Sequence, residues 1–572
     1  MATNSSMSSS STGWDHTVDV LVVGSGAGGM VTALTAHDGG ASVLLVEKDV
    51  GVGGNSARSG GGMWIPNNHL MKAEGREDNP EDALTYLKAV IGEAIGEGVE
   101  SEERLKAYVK YAPEMFKYLC DHARLQAQSV SYFPDYHPHQ PGWRVGRIVE
   151  SKVFDARPLG DEVLNLHKPS HEGLMDRYHI SIMEAWHMMN KSPGWKNILI
   201  KRMLKYWLDI PWRFKSKRSR DMGLGLSLIG TLRLSLMDRN IPVWLNSPGR
   251  ELIQENGRVV GIVVERENGL KVRVRANKGV VMASGGFEGS TPLREKYLPN
   301  PTNAKWAAGS PKNTGDSIAI GQAVGAKIDY MDRACWMPVD LVPGYPGGRS
   351  KEAERSIPGN MMVNKHGERF CNEALPYINC VWAMYDNNKP EGTSVPCYMI
   401  FDATYRAKKP YGPVLPGMPD AMIPKGYLEV GNTLEELAQK LGIDPAGLKA
   451  SAAKMTEYAR TGVDPDFHRG ENEYDRYFGD KNVKPNMCIG PIEKPPFYGN
   501  RIYPGDLGTS GGLKTDPYAR VLNEQMEVIP GLYATGNCSA GIIAGTYPGP
   551  GCTLGPTMTY GYIAARHVTQ QS

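Results

Sequence analysis

The feature that most constrains this chain is the run Gly24-Ser25-Gly26-Ala27-Gly28-Gly29, set directly after an apolar stretch at 19–23 and before a helical stretch at 30–37. A second apolar stretch at 42–46 follows and ends in Glu47 and Lys48. Strand, glycine loop, helix, strand and acid, in that order, mark a dinucleotide-binding βαβ unit. Gly24 permits the tight turn, Gly26 lets the main chain approach a pyrophosphate, and Gly29 lets the helix pack closely. The helix N-terminus then faces the phosphates. Glu47 falls 18 residues after Gly29, where a carboxylate reaches ribose hydroxyls.

The next residues narrow the nucleotide. Gly53-Gly54-Asn55-Ser56 and Ser59-Gly60-Gly61-Gly62 extend the glycine-rich surface beyond what a nicotinamide site needs, which favours FAD over NAD. Two later segments repeat the pattern of an apolar strand ending in small residues. One ends in Ala283-Ser284-Gly285-Gly286, the other in Thr535-Gly536-Asn537. Asn313-Thr-Gly315-Asp316 resembles a motif of flavoproteins and is expected near the flavin or in support of the fold.

With 572 residues, the chain is too long for one core. A cofactor domain drawn from both ends implies an inserted middle. The expected class is α/β, a Rossmann-like FAD-binding domain with an inserted α+β catalytic domain. The expected division is a disordered leader at 1–16, the FAD-binding domain at 17–337, the catalytic domain at 338–506, and a return to the FAD-binding domain at 507–572. Asn-Gly pairs at 256–257 and 268–269 predict a β-meander over 258–275, and helices are expected at 81–125, 433–440 and 445–461.

Composition excludes several classes. Lys plus Arg (64) almost cancels Asp plus Glu (62), so no nucleic-acid partner is expected. The eight cysteines form no CxxC pair, so no metal site is expected from them and a reducing, cytoplasmic setting is inferred. The segment 195–220 holds nine Lys or Arg and three tryptophans, and a Gly/Leu-rich stretch follows at 223–236. Such a pattern suits either peripheral contact with an anionic membrane surface, on the inner face of the cytoplasmic membrane, or a solvated basic helix whose aromatics pack on the body.

Removal of hydrogen across a C–C bond beside a ketone needs a hydride acceptor, a base for the α C–H, and donors for the carbonyl oxygen. Phe133-Pro-Asp-Tyr136, Arg369-Phe-Cys-Asn-Glu-Ala-Leu-Pro-Tyr377, Phe467-His-Arg-Gly-Glu471, Asp506-Leu-Gly-Thr509 with Gly511-Gly-Leu513, and Thr546-Tyr547-Pro-Gly-Pro-Gly551 resemble segments of the 3-ketosteroid Δ1-dehydrogenases. That family is a branch of the fumarate reductase/succinate dehydrogenase flavoproteins, so the resemblance implies a fumarate reductase flavoprotein-like fold. It extends from Asp19 to about Ala565. An apparent insertion at about 160–240 resembles the longer members, which accept steroids with a C17 side chain.

The resemblance implies a role for each matched residue. Tyr377 would take the C2 proton of a 3-ketosteroid, and Tyr136 would hydrogen-bond that base and relay the proton. Tyr547 and the Gly551 N–H would hold the C3 oxygen, with Gly551 and Leu554 also beside the flavin. The activity implied is 1,2-desaturation of the steroid A-ring, in steroid and cholesterol degradation, with electrons passed on to a quinone or another acceptor. His468 is expected to be structural. Two other readings remain: a fumarate-reductase-like enzyme of small unsaturated acids, and a ketosteroid Δ4-(5α)-dehydrogenase.

Overall fold

The computed structural model describes residues 13–95, 101–168, 174, 177–390 and 392–570. β1 (His16–Val23) runs parallel to β2 (Val43–Val46) on one side and to the strand Lys271–Met282 on the other. Lys271–Met282 pairs in turn with Val528–Ala534, in parallel. Strands from both ends of the chain therefore share one eight-stranded sheet. β1 and β2 are apolar almost without alternation because helices and loops cover both faces. α1 (Ala27–Asp38) packs against the last helix, Leu554–Gln570. The approach is so close that a Cβ on Gly561 would sit 2.5 Å from the Gly28 carbonyl.

The meander is present as Gly249–Glu255, Arg258–Glu265 and Lys271–Met282. Asn256 (φ 50°) and Gly257 (φ 76°) both take the left-handed conformation that a two-residue hairpin turn requires. The helical region at 81–125 is two helices, Pro80–Ile95 and Glu102–His122. The helices expected near 433 and 445 are Leu434–Leu441 and Pro445–Thr461.

A second, antiparallel sheet of six strands carries the middle of the chain, with Ala334–Asp340 and Phe497–Thr509 at its centre. The expected boundaries at 338 and 506 each fall inside one of these strands, which run without a linker from one sheet region toward the other. The helix Tyr377–Asn387 packs on Ala334–Asp340. The approach to that helix is locked by buried charge. Arg469 donates to Glu373 at 2.9 Å and to the carbonyls of Asn360, Arg355 and Ile357. Arg369 pairs with Glu373 and Asp464, both at 2.8 Å. These contacts account for much of two of the motifs, Arg369 to Tyr377 and Phe467 to Glu471, as supports. His468 itself is exposed and, among the described residues, pairs with Glu471, away from the cavity.

The structure corrects two segment assignments. Residues 1–12 of the expected leader lie outside the described residues, but the expected limit at 16 is too late: the Asp15 N–H donates to Arg273, and β1 starts at His16. The stretch 223–236 cannot face a membrane, because it forms the helix Leu224–Asp238, whose residues from Gly225 to Leu232 are buried in the core. Among the basic residues upstream, Arg202 pairs with Glu184 and Asp221, Arg220 with Asp209, and Arg218 with main-chain carbonyls. Trp212 is buried. What remains at the surface is narrower, an apolar face on Trp195–Leu208 and Ile210–Lys215 flanked by Lys196, Lys201, Lys205, Lys215 and Lys217. No described helix is long and apolar enough to cross a membrane. All eight cysteines are free.

Candidate active site

One continuous cavity of about 510 Å³ runs from the C-terminal edge of the parallel sheet to the second sheet. Its first half is lined by Gly24 to Gly28, Glu47, Lys48, Gly54 to Ser56 and Ser59 to Gly62. Ala283 to Gly285, Asn313, Asp316, Gly536 and Asn537 close the wall. This is where strands of a doubly wound sheet end and nucleotides bind. Gly24 (φ 107°) makes the turn, and a Cβ there would lie 2.3 Å from the Ala283 carbonyl. Gly26 is different: its nearest neighbour would be Ser56 Oγ at 3.5 Å, so the space beside it opens onto the cavity. At the start of α1 the Ala27 N–H donates to Ser56 Oγ at 3.0 Å, and Gly26 offers no side-chain cap, which leaves the next first-turn N–H groups for an anion. Glu47 accepts from Ser25 N at 2.9 Å and Ser25 Oγ at 2.6 Å, holding the loop while lining the cavity. These residues fit FAD: a helix N-terminus for the pyrophosphate, open glycine surface, and an acid at the ribose position.

The second half of the cavity is built by three tyrosines from separate segments. Tyr136 and Tyr377 meet edge to face with ring centroids 5.5 Å apart. Tyr377 and Tyr547 are 5.2 Å apart, and Tyr136 and Tyr547 are 5.7 Å apart. Tyr377 is the first residue of its helix, so the helix start aims the phenol at the cavity. The loops of Tyr136 and Tyr547 are stitched together. The Tyr136 N–H donates to the Pro548 carbonyl at 2.9 Å, the Tyr86 hydroxyl to the same carbonyl at 2.5 Å, and the His137 N–H to the Tyr86 hydroxyl at 3.1 Å. Gly551 (φ 89°) admits no side chain, since a Cβ would sit 2.5 Å from the Gly62 carbonyl. Its N–H donates to no partner among the described residues, and the residue lines the cavity. Cys335, Met337, Phe133, Ile182, Tyr477 and Phe478 make most of the remaining wall apolar, with Ser350, Glu352 and Thr553 among them.

Burial pushes all three phenols well above their ordinary pKa, with neighbouring acids and phenols adding to the effect at Tyr136 and Tyr377. An interaction with the Tyr377 hydroxyl pulls Tyr136 and Tyr547 the other way. Tyr136 also donates to Glu352 Oε1 at 3.4 Å. Glu352 lines the cavity, and burial raises its pKa against the opposing effects of Arg355 and the Tyr136 hydroxyl. Sequence reasoning missed Glu352 because it stands in a charged run, Lys351-Glu352-Ala-Glu354-Arg355, that reads as a solvated turn.

The family model described as FAD binding domain matches residues 19–554. The 3-oxosteroid 1-dehydrogenase of Mycobacterium tuberculosis is 40% identical over 565 residues, covering 97% of this chain and 98% of that protein. The chain belongs to the 3-oxosteroid 1-dehydrogenase family. A 3-ketosteroid Δ1-dehydrogenase from Sterolibacterium denitrificans, solved in complex with 1,4-androstadiene-3,17-dione, is 46% identical. It superposes with a TM-score of 0.93 over 97% of this chain and 100% of that one. An open flavocytochrome c3 fumarate reductase shares the fold, with a TM-score of 0.64 at 23% identity, covering 98% of this chain and 79% of that one. The fold class and FAD read from the sequence are thus those of the family.

Within this frame, the cavity gathers every sequence-predicted site residue but two. Gly29 lies behind the wall, where a Cβ would be 2.0 Å from the Gly24 carbonyl, so it acts through packing alone. Gly286 is also off the cavity, backed against Thr509 Oγ1 at 2.1 Å from its would-be Cβ. Asn55 and Asn313 share a buried acid that the sequence did not reveal: both donate to Glu288 Oε1, at 2.5 and 2.7 Å. Burial and Asp506 push Glu288 up to about 7. Lys48 and Asp316 line the cavity while paired with each other at 2.7 Å.

The two kinds of glycine give opposite variants. Gly26→Val has room in the protein but fills the cofactor's approach, and packing extra methyl groups into such a contact costs about 1–3 kcal/mol, or about 5- to 150-fold in affinity. The expected result is native far-UV circular dichroism with most flavin lost, read from the flavin-to-protein absorbance ratio. Gly29→Val is expected to lose the fold itself.

Proposed function

We propose that this protein is an FAD-dependent 1,2-desaturase of 3-ketosteroids, converting a 3-oxo-Δ4-steroid into the 3-oxo-1,4-diene, with Tyr377, Tyr136, Tyr547 and Gly551 at the reacting ring. The observation that carries this reading is the convergence of three buried phenols and a free glycine N–H at the apolar end of the cavity, beside glycine surface suited to FAD. Bound FAD supplies the acceptor for the C1 hydride. The Tyr547 hydroxyl and the Gly551 N–H would hold the C3 oxygen as C2 becomes acidic; removing one such donor typically costs about 10²–10³ in rate. Tyr377 would accept the C2 proton. Because burial disfavours a resting phenolate, Tyr377 would release its own proton as it accepts, through Tyr136 to the Glu352 carboxylate.

The fumarate-like reading is disfavoured by the lining. The cationic side chains lining the cavity among the described residues are Lys48, Arg58 and Lys312, and none belongs to a tyrosine-bearing segment. A substrate carboxylate at the phenols would have no cation to pair with.

We further propose that steroid enters from an anionic membrane surface touched by 195–215. The face there exposes Ile200, Leu204, Trp207, Leu208, Ile210 and Phe214, the last at 90% of its surface, with five exposed lysines around it. Met189, on the adjoining helix Ile182–Met189, is 48% exposed and also lines the cavity, so the apolar face adjoins the cavity wall. Apolar residues ringed by lysines suit the lipid–water boundary.

Two measurements check these proposals. Tyr377→Phe is expected to retain FAD and steroid but lose about 10²–10⁴ in kcat, the usual contribution of a general base. In the same assays, Glu352 must be ionised to accept a proton, and its pKa is raised, so the wild-type rate falls as pH drops through a value above the ordinary carboxylate range. Glu352→Gln should lower the rate and abolish that acidic limb. Near-normal turnover by Tyr377→Phe would remove the central role. For the membrane, Leu208→Glu with Phe214→Glu is expected to abolish cosedimentation with phosphatidylglycerol vesicles while leaving activity on detergent-dispersed steroid intact. Unchanged cosedimentation would refute the contact.

A further inference from the structure

We propose that Glu93, His137 and His139 form a binding site for a divalent transition-metal ion of the zinc class, on the outer side of the loop that carries Tyr136. The ligand atoms of these three residues lie within 4.8 Å of one another. Two imidazoles and a carboxylate are a donor set that Zn²⁺ accepts with one position left open. At Zn–ligand distances of about 2.0–2.1 Å, tetrahedral ligands stand about 3.3 Å apart. His139 Nε2 is already 3.2 Å from Glu93 Oε1. The remaining adjustment falls on Glu93 and His139, whose side chains are exposed.

His137 is the fixed member and the independent sign of a ligand. It is only 8% exposed, yet its buried Nε2 has no hydrogen-bond partner among the described residues. The Tyr547 main-chain carbonyl stands beside the ring, where it favours a protonated ring nitrogen. A metal-bound histidine is commonly supported in this way, with its other ring nitrogen held by a main-chain carbonyl that fixes tautomer and orientation. Glu93 comes from the helix Pro80–Ile95 and is itself oriented by Gln140, which donates to its Oε2 at 2.7 Å. The site therefore joins that helix to the loop 136–140 and, through His137, to the main chain of Tyr547. A bound ion would pin the loop that carries Tyr136 without entering the cavity.

The test uses untagged holoenzyme, treated with chelator and then dialysed free of it, titrated with Zn²⁺ calorimetrically in a non-coordinating buffer. One ion per chain is expected, with a rise in Tm on binding. Glu93→Gln and His139→Ala should each weaken binding at least about 10-fold. Both should retain the flavin spectrum and circular dichroism of the wild type. His468→Ala, an exposed histidine elsewhere, should bind as the wild type does. No binding at millimolar Zn²⁺, or equal affinity in the Glu93 and His139 variants, would overturn the proposal. Because the readout is binding, it is independent of whether the protein desaturates steroids.

Discussion

Asp135 and Arg147 form the buried ion pair on which the geometry of the site rests. Arg147 is wholly buried and donates to Asp135 at 2.9 Å and to Asp78 at 2.7 Å. The second oxygen of Asp135 accepts from Trp64 Nε1 at 2.7 Å. Asp135 directly precedes Tyr136, so the pair fixes the start of the tyrosine-bearing loop against the strand that contributes Gly62. Burial pushes the Asp135 carboxyl up to about 6 even with Arg147 beside it. An ion pair in such surroundings is costly to form, and breaking one typically destabilises by about 3–5 kcal/mol because a bare charge is left behind. What it supplies here is position: Tyr136 can meet Tyr377 and Tyr547 only if both loops are held.

The same burial that aligns the phenols works against any of them acting alone as a base. Among the described residues, no Lys or Arg of the tyrosine-bearing segments lines the cavity to neutralise a phenolate in place. Under the proposed reaction, Tyr377, Tyr136 and the Glu352 carboxylate that Tyr136 contacts would solve the problem differently, by letting a proton move through without leaving a charge on any single ring. The apolar wall that raises the phenols would also strengthen Tyr547 and Gly551 as the proposed donors toward a developing enolate, since water is excluded there. Positioning and acidity thus come from one environment.

How far this was legible in the sequence depends on the kind of signal. The βαβ unit was fully readable, because Gly24, Gly26 and Gly29 each answer a local steric demand that shows in residue type. The tyrosines were readable only through the resemblance, since a phenol in a sequence does not announce what it will face. Gly286 stands off the cavity because a small residue after a strand serves backbone packing as well as a ligand, and the residue it backs against, Thr509, lies more than 200 residues on. Glu352 and Glu288 were invisible: both look like ordinary surface acids until the fold surrounds them. The stretch 223–236 was misread because a Gly/Leu-rich helix suits a core as well as a lipid surface, and only its packing against α1 separates the two.

The most direct test of the account is anaerobic mixing of the holoenzyme with androst-4-ene-3,17-dione while the flavin absorbance is followed, with succinate as the comparison. The account predicts that the ketosteroid bleaches the flavin band and yields the 1,4-dien-3-one in equal amount, and that succinate does neither. Bleaching by succinate with no response to the ketosteroid would contradict it.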